Sequence, residues 1–352
     1  MLFVVVPDLK KNKLKRNEVI KFVLLITIWL ATPWVFAKSA EIQPLASQSL
    51  LLDITRVDQT IYAVGERGHI IKAQSTNLNQ WQQLTVPINT TLTSIFSLDQ
   101  NHLWVTGHSA AILHSADAGK TWVVQNYNVA DATPLMDIVF IDQLRGIAVG
   151  AYGLFLRTQD GGKTWQKELH ASLLSKDDIE YLQDIKQEGE EVYQAELAAS
   201  LPHLNKLTLT SQQVWVVGET GLIAKSVDWG QNWQRQQSLY AGSFFDVQST
   251  KSGVRVAGLR GRVFTLADGD WRAQHTANQV SVNQTINVTN GFIALANSDE
   301  ISLYAEGKGY SVLGKLTSKS QVAGIILNDT LVTVGELGIQ VLPIQTDKRS
   351  SF

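Results

Sequence analysis

Along the chain, apolar residues alternate or run for a few positions and then stop at Gly, Asn, Asp or Ser, the signature of short strands joined by hairpins. One pattern, an apolar run, Val-Gly-x-x-Gly and a second apolar run, comes back as IYAVGERGHII (61–71), LWVTGHSAAIL (103–113), GIAVGAYGLFL (146–156), VWVVGETGLIA (214–224), VRVAGLRGRVF (254–264), FIALANSDEIS (292–302) and LVTVGELGIQV (331–341). The first-glycine slots fall at 65, 107, 150, 218, 258, 296 and 335, with steps of 42, 43, 68, 40, 38 and 39. Four antiparallel strands about every forty residues is the period of a β-propeller blade. One such sheet cannot cover both its faces, whereas blades stacked around an axis can. The pattern therefore predicts an all-β chain folded as a seven-bladed β-propeller, with blade two written as strands at 92–99, 102–107, 111–116 and 121–126.

A second motif sits where the third strand of a blade turns into the fourth: SADAGKTW (115–122), TQDGGKTW (158–165) and SVDWGQNW (226–233). The GGKT within it resembles the end of a phosphate-binding loop, but the slot for the first glycine of such a loop holds Arg157. A turn is the better reading. Asp117, Asp160 and Asp228 can accept amides of the turn, Ser115, Thr158 and Ser226 can add a hydroxyl bond, and Gly119, Gly162 and Gly230 supply backbone conformations other residues avoid. Trp122, Trp165 and Trp233 then open the outer strand, where a large ring fills the wedge between blades. Blades one and five keep shortened forms, STNLNQW (75–81) and TLADGDW (265–271), and blade six places Tyr310 in the tryptophan slot.

The one long step, between blades three and four, contains ASLLSKDDIEYLQDIKQEGEEVYQAELAAS (171–200). Ser175 with Asp178 is a helix-start signal, and Ile179, Leu182 and Ile185 recur at helical spacing. Gly189 ends a first helix, and a second is expected from Glu190 to Ala199. This short helical insertion (171–201) leaves an outer strand and enters an inner one, so it belongs on the same face of the ring as the GxxG tips. Loops on a rigid scaffold are where binding function collects.

The three turns match the Asp-box pattern S/T-x-D-x-G-x-T/N-W. With the GxxG hairpins before them, they make residues 48 to 345 resemble the photosystem II stability and assembly factor family. That resemblance implies a non-enzymatic propeller that binds a protein client through an arginine-bearing surface, a role matched here by VRVAGLRGRV with Arg260 and Arg262. The partner-binding candidates are the hairpin-tip residues Glu66, Arg67, His108, Tyr152, Glu219, Arg260, Arg262 and Glu336, with both charge signs and one aromatic around the channel mouth. Asp-boxes also occur in sialidases, so the alternative is a glycosidase or carbohydrate-binding propeller. No arginine triad or activated tyrosine is recognisable. Glu66, Glu219 and Glu336 occupy equivalent turn positions, which reads as a solvated rim rather than an acid–base pair. The histidines at 69, 102, 108, 114, 170, 203 and 275 lack metal-ligand spacing, and no catalytic residue, metal or cofactor is expected.

Composition changes the picture at the ends. Lys10, Lys11, Lys13, Lys15, Arg16 and Lys21 precede the apolar run Phe22 to Ala37, with Val35 and Ala37 as small residues before Lys38, which reads as a cleaved signal peptide (1–37). The protein is then periplasmic or secreted, an uncleaved membrane anchor being the other reading. The propeller spans 38–346, and 347–352 form a tail. The whole chain carries −2; without the basic leader, which carries +4, it carries −6, and the acidic insert alone accounts for that −6. No basic face suited to nucleic acid is implied, and with no cysteine there are no disulfides. Blade seven lacks a convincing fourth strand, and AEIQPLAS (40–47) is expected to supply it and close the ring. The expected partner is a protein, and the expected role is assisting assembly or stability of an envelope or membrane complex.

Overall fold

In the second strand of each blade nearly every residue is buried, as in Leu103–Gly107, Gly146–Gly150 and Val214–Gly218. Such strands have a packed neighbour on both faces, which explains why the sequence there runs apolar instead of alternating. A computed structural model describes residues 38–237, 239–276, 278–317 and 320–344; the leader 1–37 and the tail 347–352 lie outside them. The described strands form seven antiparallel sheets, six of four strands and one of three. Blade two consists of Leu92–Ser97, Leu103–Gly107, Ala111–Ser115 and Val123–Asn126, close to the predicted spans. Consecutive inner strands contact one another around the ring, from Leu51–Val57 through to Gln321–Leu327 and back. The fold is the predicted seven-bladed propeller.

The recurring glycines have two separate causes. The first, at 65, 107, 150, 218, 258 and 335, ends the second strand where it passes very close to the chain entering the first strand. A Cβ on Gly65 would stand 2.1 Å from the Leu50 carbonyl oxygen, and the other five would meet the same carbonyl of their own blade at 2.1 to 2.4 Å. The second, as at Gly68 and Gly153, has φ of +74° and +65° and turns the hairpin. The residue before it is also left-handed in five blades, at Arg67, Ser109, Tyr152, Thr220 and Arg260. That shared conformation is a property of the turn.

The three Asp turns are superimposable in their bonding. Thr158 Oγ1 accepts the amides of Asp160 and Gly162 and donates to Asp160 Oδ1, while Asp160 accepts the amide and hydroxyl of Thr164. Ser115 with Asp117 and Ser226 with Asp228 repeat this scheme. These amides, led by that of the residue four positions on, hold all three carboxyls at a pKa of about 2. Glycine is needed at only one of the two central positions, since Ala118 and Trp229 are left-handed where blade three has Gly161. Trp165 packs into the cluster that blades two and three share, edge-on to Phe140 at 5.9 Å, and Trp233 meets Phe155 of blade three edge-on at 6.2 Å. Each ring thus wedges its blade against the preceding one.

The expected ring closure by strand pairing does not occur. Among the described residues blade seven has three strands, Gln321–Leu327, Thr330–Gly335 and Gly338–Pro343, and residues 40–47 form no strand. Instead the Ala40 amide bonds to Val86 O and the Gln43 amide to Gln83 Oε1, both of blade one, and a 3-10 turn at Ala46–Gln48 follows. Pro44 offers no amide to a ladder, and Ala46 is drawn into the joint between blades seven and one, beside Leu51, Ala323 and Val334. The two ends of the ring meet through packed side chains.

Candidate binding face and central channel

The insert folds as helix α1 (Lys176–Ile185) and helix α2 (Glu190–Ser200). Ser175 and Asp178 form a reciprocal capping box, and Gly189, with φ of +129°, turns the chain between the helices. Leu173, Leu174, Leu182, Leu197 and Leu201 are buried in one cluster with Leu204, Val216 and Leu222 of blade four and Val149 and Phe155 of blade three. Leu201 fills the space over Gly153, where a Cβ would stand 2.2 Å from its own. Arg235 reaches from the outer strand of blade four to the Leu173 and Thr220 carbonyls. The insert is therefore seated on the GxxG tips of blades three and four, and its acids Asp177, Asp178, Glu180, Asp184, Glu188, Glu190 and Glu191 are exposed.

Two of the candidate tip residues come together. Tyr152, 69% exposed at the apex of the blade-three hairpin, meets the His203 ring edge-on at 4.6 Å. His203 Nδ1 lies 3.5 Å from the Glu219 carboxylate. His203, where the chain leaves the insert for blade four, was not singled out by sequence, because its partners lie on two other hairpins. Glu66 and Arg67 approach only to 3.9 Å at their own tip. His108, Arg260 and Glu336 are exposed on separate blades. Arg262 turns back over the Tyr240 ring at 5.5 Å. The arginines of blade five do not form one patch: Arg255 is buried over the Phe292 ring at 4.1 Å and bonds Asn287, with burial lowering its pKa to about 10. Arg272 lies on the outer strand, paired with Asp268.

The tips surround a channel whose lining the sequence reading missed. Each inner strand carries a bulge opposite the end of the second strand, and the looped-out residues are Leu52, Thr93, Met136, Asn205, Phe245, Asn283 and Val322. Together they line a cavity of about 410 Å³ at the mouth. The next residue in each blade forms a polar belt: Asp53, Ser94, Asp137, Lys206, Asp246 and Gln284, with Ala323 in blade seven. A common bonding pattern joins blade to blade. Asp53 accepts the Ile95 amide, Asp137 that of Leu207, Asp246 that of Thr285 and Gln284 that of Gly324, at 2.7 to 3.0 Å. Ser94 bonds both Asp53 and Asp137. Lys206 Nζ sits 3.2 Å from Asp137 and 3.8 Å from Asp53. Burial works against its charge, yet those carboxylates raise its pKa above the ordinary lysine value. One signal for this belt was present: a polar side chain 12 or 13 residues before the first-glycine slot in six blades.

Burial raises the pKa of Asp246, and the bonds from Gln248 and Thr285 only partly offset this. A carboxyl whose folded pKa is raised binds its proton more tightly in the folded state. Its contribution to stability is complete below the unfolded carboxylate range and is lost as pH rises through the folded pKa. Asp246→Asn is therefore expected to be as stable as the wild type or more so at pH 7, the difference vanishing as pH falls toward about 4. Thermal melts of both proteins across that range test this; a deficit at pH 7 that disappears in acid would mean the anion is favoured.

The buried carboxylates are thus committed to neighbouring blades, and Glu66, Glu219 and Glu336 lie on three different ones. Among the described residues no group of three or more His, Asp or Glu is placed to hold a metal ion.

A family model described as the DUF6242 beta propeller domain matches residues 34–200. No curated protein matches the chain. Among solved structures, YCF48 bound to D1 peptide is similar at a TM-score of 0.62 and 14% identity, covering 88% of this chain and 99% of that one. YCF48 from Cyanidioschyzon merolae gives 0.62 and 14%, covering 88% and 98%. The propeller domain of Cps50 (Swd1) from Myceliophteria thermophila gives 0.63 and 12%, covering 84% and 97%. At such identities the likeness concerns the fold.

Proposed function

We propose that this protein is a non-enzymatic, exported propeller that docks a protein partner on the face bearing the helical insert and hairpin tips, and so assists assembly or stability of an envelope or membrane complex. The observation that carries the reading is the seating of the insert. Five buried leucines fix it beside Tyr152, His203 and Glu219, leaving its carboxylates in solvent. A rigidly held charged surface next to an exposed aromatic ring is suited to a broad complementary protein surface, where charge steers encounter and the ring supplies an anchor. The likeness to YCF48, one structure of which holds a D1 peptide, supports the assembly-factor version of this reading. Export rests on the leader sequence.

Tyr152→Ala and the double change Glu190→Lys with Glu191→Lys alter only exposed side chains. Each is expected to weaken capture of a defined envelope partner by tenfold or more, about 1.4 kcal/mol, while the melting temperature stays close to that of the wild type. Equal capture by both variants would move binding to another surface. The charge reversal also separates this proposal from a sugar-binding one, which an exposed acidic helix would not govern.

A further inference from the structure

Blade seven ends in an open sheet edge. Blades one and six on either side each carry a fourth strand, Asn77–Gln83 and Gly309–Lys315, whereas Gly338–Pro343 has no outer neighbour among the described residues. The register shows which groups are left over. Ile344 donates to Asp329, and with Leu342 opposite Leu331 and Gln340 opposite Thr333, the bonded pairs fall on the even-numbered residues. Ile339 and Val341 therefore aim both N–H and C=O outward, and Pro343, also on the outward set, has no N–H to leave unbonded. The N-terminal segment stops at the hairpin end of this strand, with Ser47 beside Gly338.

The edge is recessed. Leu342 lies against Gly314 in the outer strand of blade six, and Ile339 shares a cluster with Leu78 and Trp81 in the outer strand of blade one. Both neighbours thus stand one strand, about 4.8 Å, further out than Gly338–Pro343. A second copy of the chain has its own edge equally recessed, so the flanking outer strands would collide before two such edges could pair. A single extended chain fits between them.

We infer that the slot beside Gly338–Pro343 receives a short extended segment of a partner protein, added antiparallel as the missing fourth strand. The segment bonds the N–H and C=O of Ile339 and Val341. Its side chains alternate between Leu313 and Leu342 on the blade-six side and Trp81 and Val341 on the blade-one side, and Val341 is 42% exposed. The matching sequence therefore turns an apolar residue toward each neighbour, as Tyr310 and Leu313 do in the outer strand of blade six, and is free of proline at the bonding positions. This site is separate from the hairpin-tip face and stands or falls without it.

Two measurements on the full mature chain decide it. Hydrogen exchange at low protein concentration should find the Ile339 and Val341 amides fast beside a slow Gln340 amide. A labelled peptide copying residues 309–315, the outer strand of blade six, should bind wild-type protein and protect both amides. Val341→Pro removes an outward N–H and no ladder bond, and should weaken that binding at least about tenfold. N-methylation of the peptide's bonding amides should do the same with the wild-type protein. Slow exchange at both residues in the isolated chain would mean the chain fills its own slot, and protection that grows with protein concentration would mean a second copy does. Failure of the peptide to bind, or equal binding by Val341→Pro and the methylated peptide, would equally overturn the assignment.

Discussion

Replacing residues 171–201 with a short glycine–serine link is expected to yield a chain that is unfolded or aggregated, not a ring trimmed of an ornament. Long insertions as such cost little in loop entropy, so sequence alone allows the insert to be removable. The packing argues otherwise. Leu173, Leu174, Leu182, Leu197 and Leu201 are each at most 5% exposed, and they cover Leu204, Val216 and Leu222 of the blade behind them. Truncating one buried leucine costs about 2–5 kcal/mol, and a whole domain has only about 5–15 kcal/mol in hand. Solubility, circular dichroism and a thermal melt of the excised protein check this. A melt indistinguishable from wild type would show that the cluster is closed without the helices. For the same reason, the acidic surface must be probed by single exposed residues.

Arg157→Ala is expected to cost about 3 kcal/mol, the low end of the range for removing one partner of a buried ion pair, since the Glu168 side chain remains 28% exposed. Arg157 is 5% exposed. Its Nε and Nη2 bond the two oxygens of Glu168 at 2.6 and 2.9 Å, while Nη1 and Nη2 reach the Trp229 and Gly230 carbonyls of blade four at 2.6 and 2.8 Å. Burial opposes the Glu168 carboxylate, but Arg157 keeps its pKa below the ordinary value. Without the guanidinium, the carboxylate is left with His170 Nε2, 3.0 Å from Oε2, and the two carbonyls lose this donor together. Arg157→Lys should recover little, because an ammonium cannot present the planar fork these acceptors match. Urea titration of both variants measures the loss; a value below about 1 kcal/mol would place the pair with ordinary surface bridges.

The features that sequence displayed are those whose causes are local. The helix start needs only Ser175 and Asp178, three residues apart. Each Asp turn is closed within eight residues, and the blade count follows from a glycine that six of the seven blades carry at one close contact with their own chain. Blade six shows the tolerance of that rule, carrying Ala296 in the glycine slot. What sequence concealed involves partners distant along the chain. His203 acquires its place from Tyr152 and Glu219. The belt aspartates bond amides of the following blade, and Arg255, within the stretch matched to an arginine-bearing surface, is buried against blade six. The expected strand at 40–47 failed for the same reason, its burial being decided by a joint between the first and last blades.

That joint is also where the belt is interrupted. Each of the other six is bridged by a polar side chain at or beside the belt, the fourth by Asn205 donating to Phe244 O. From blade seven to blade one the corresponding residue is Ala323, whose methyl bonds nothing. In mechanical terms the protein is a split washer rather than a seamless ring: six joints riveted at the belt and one where, among the described residues, the belt position offers only a methyl pressed into an apolar cluster. In an array whose units touch only their neighbours, local opening begins at the weakest interface. Local opening of the ring is therefore expected first at this cut, beside the blade with three described strands, and last on the side holding the insert and Arg157.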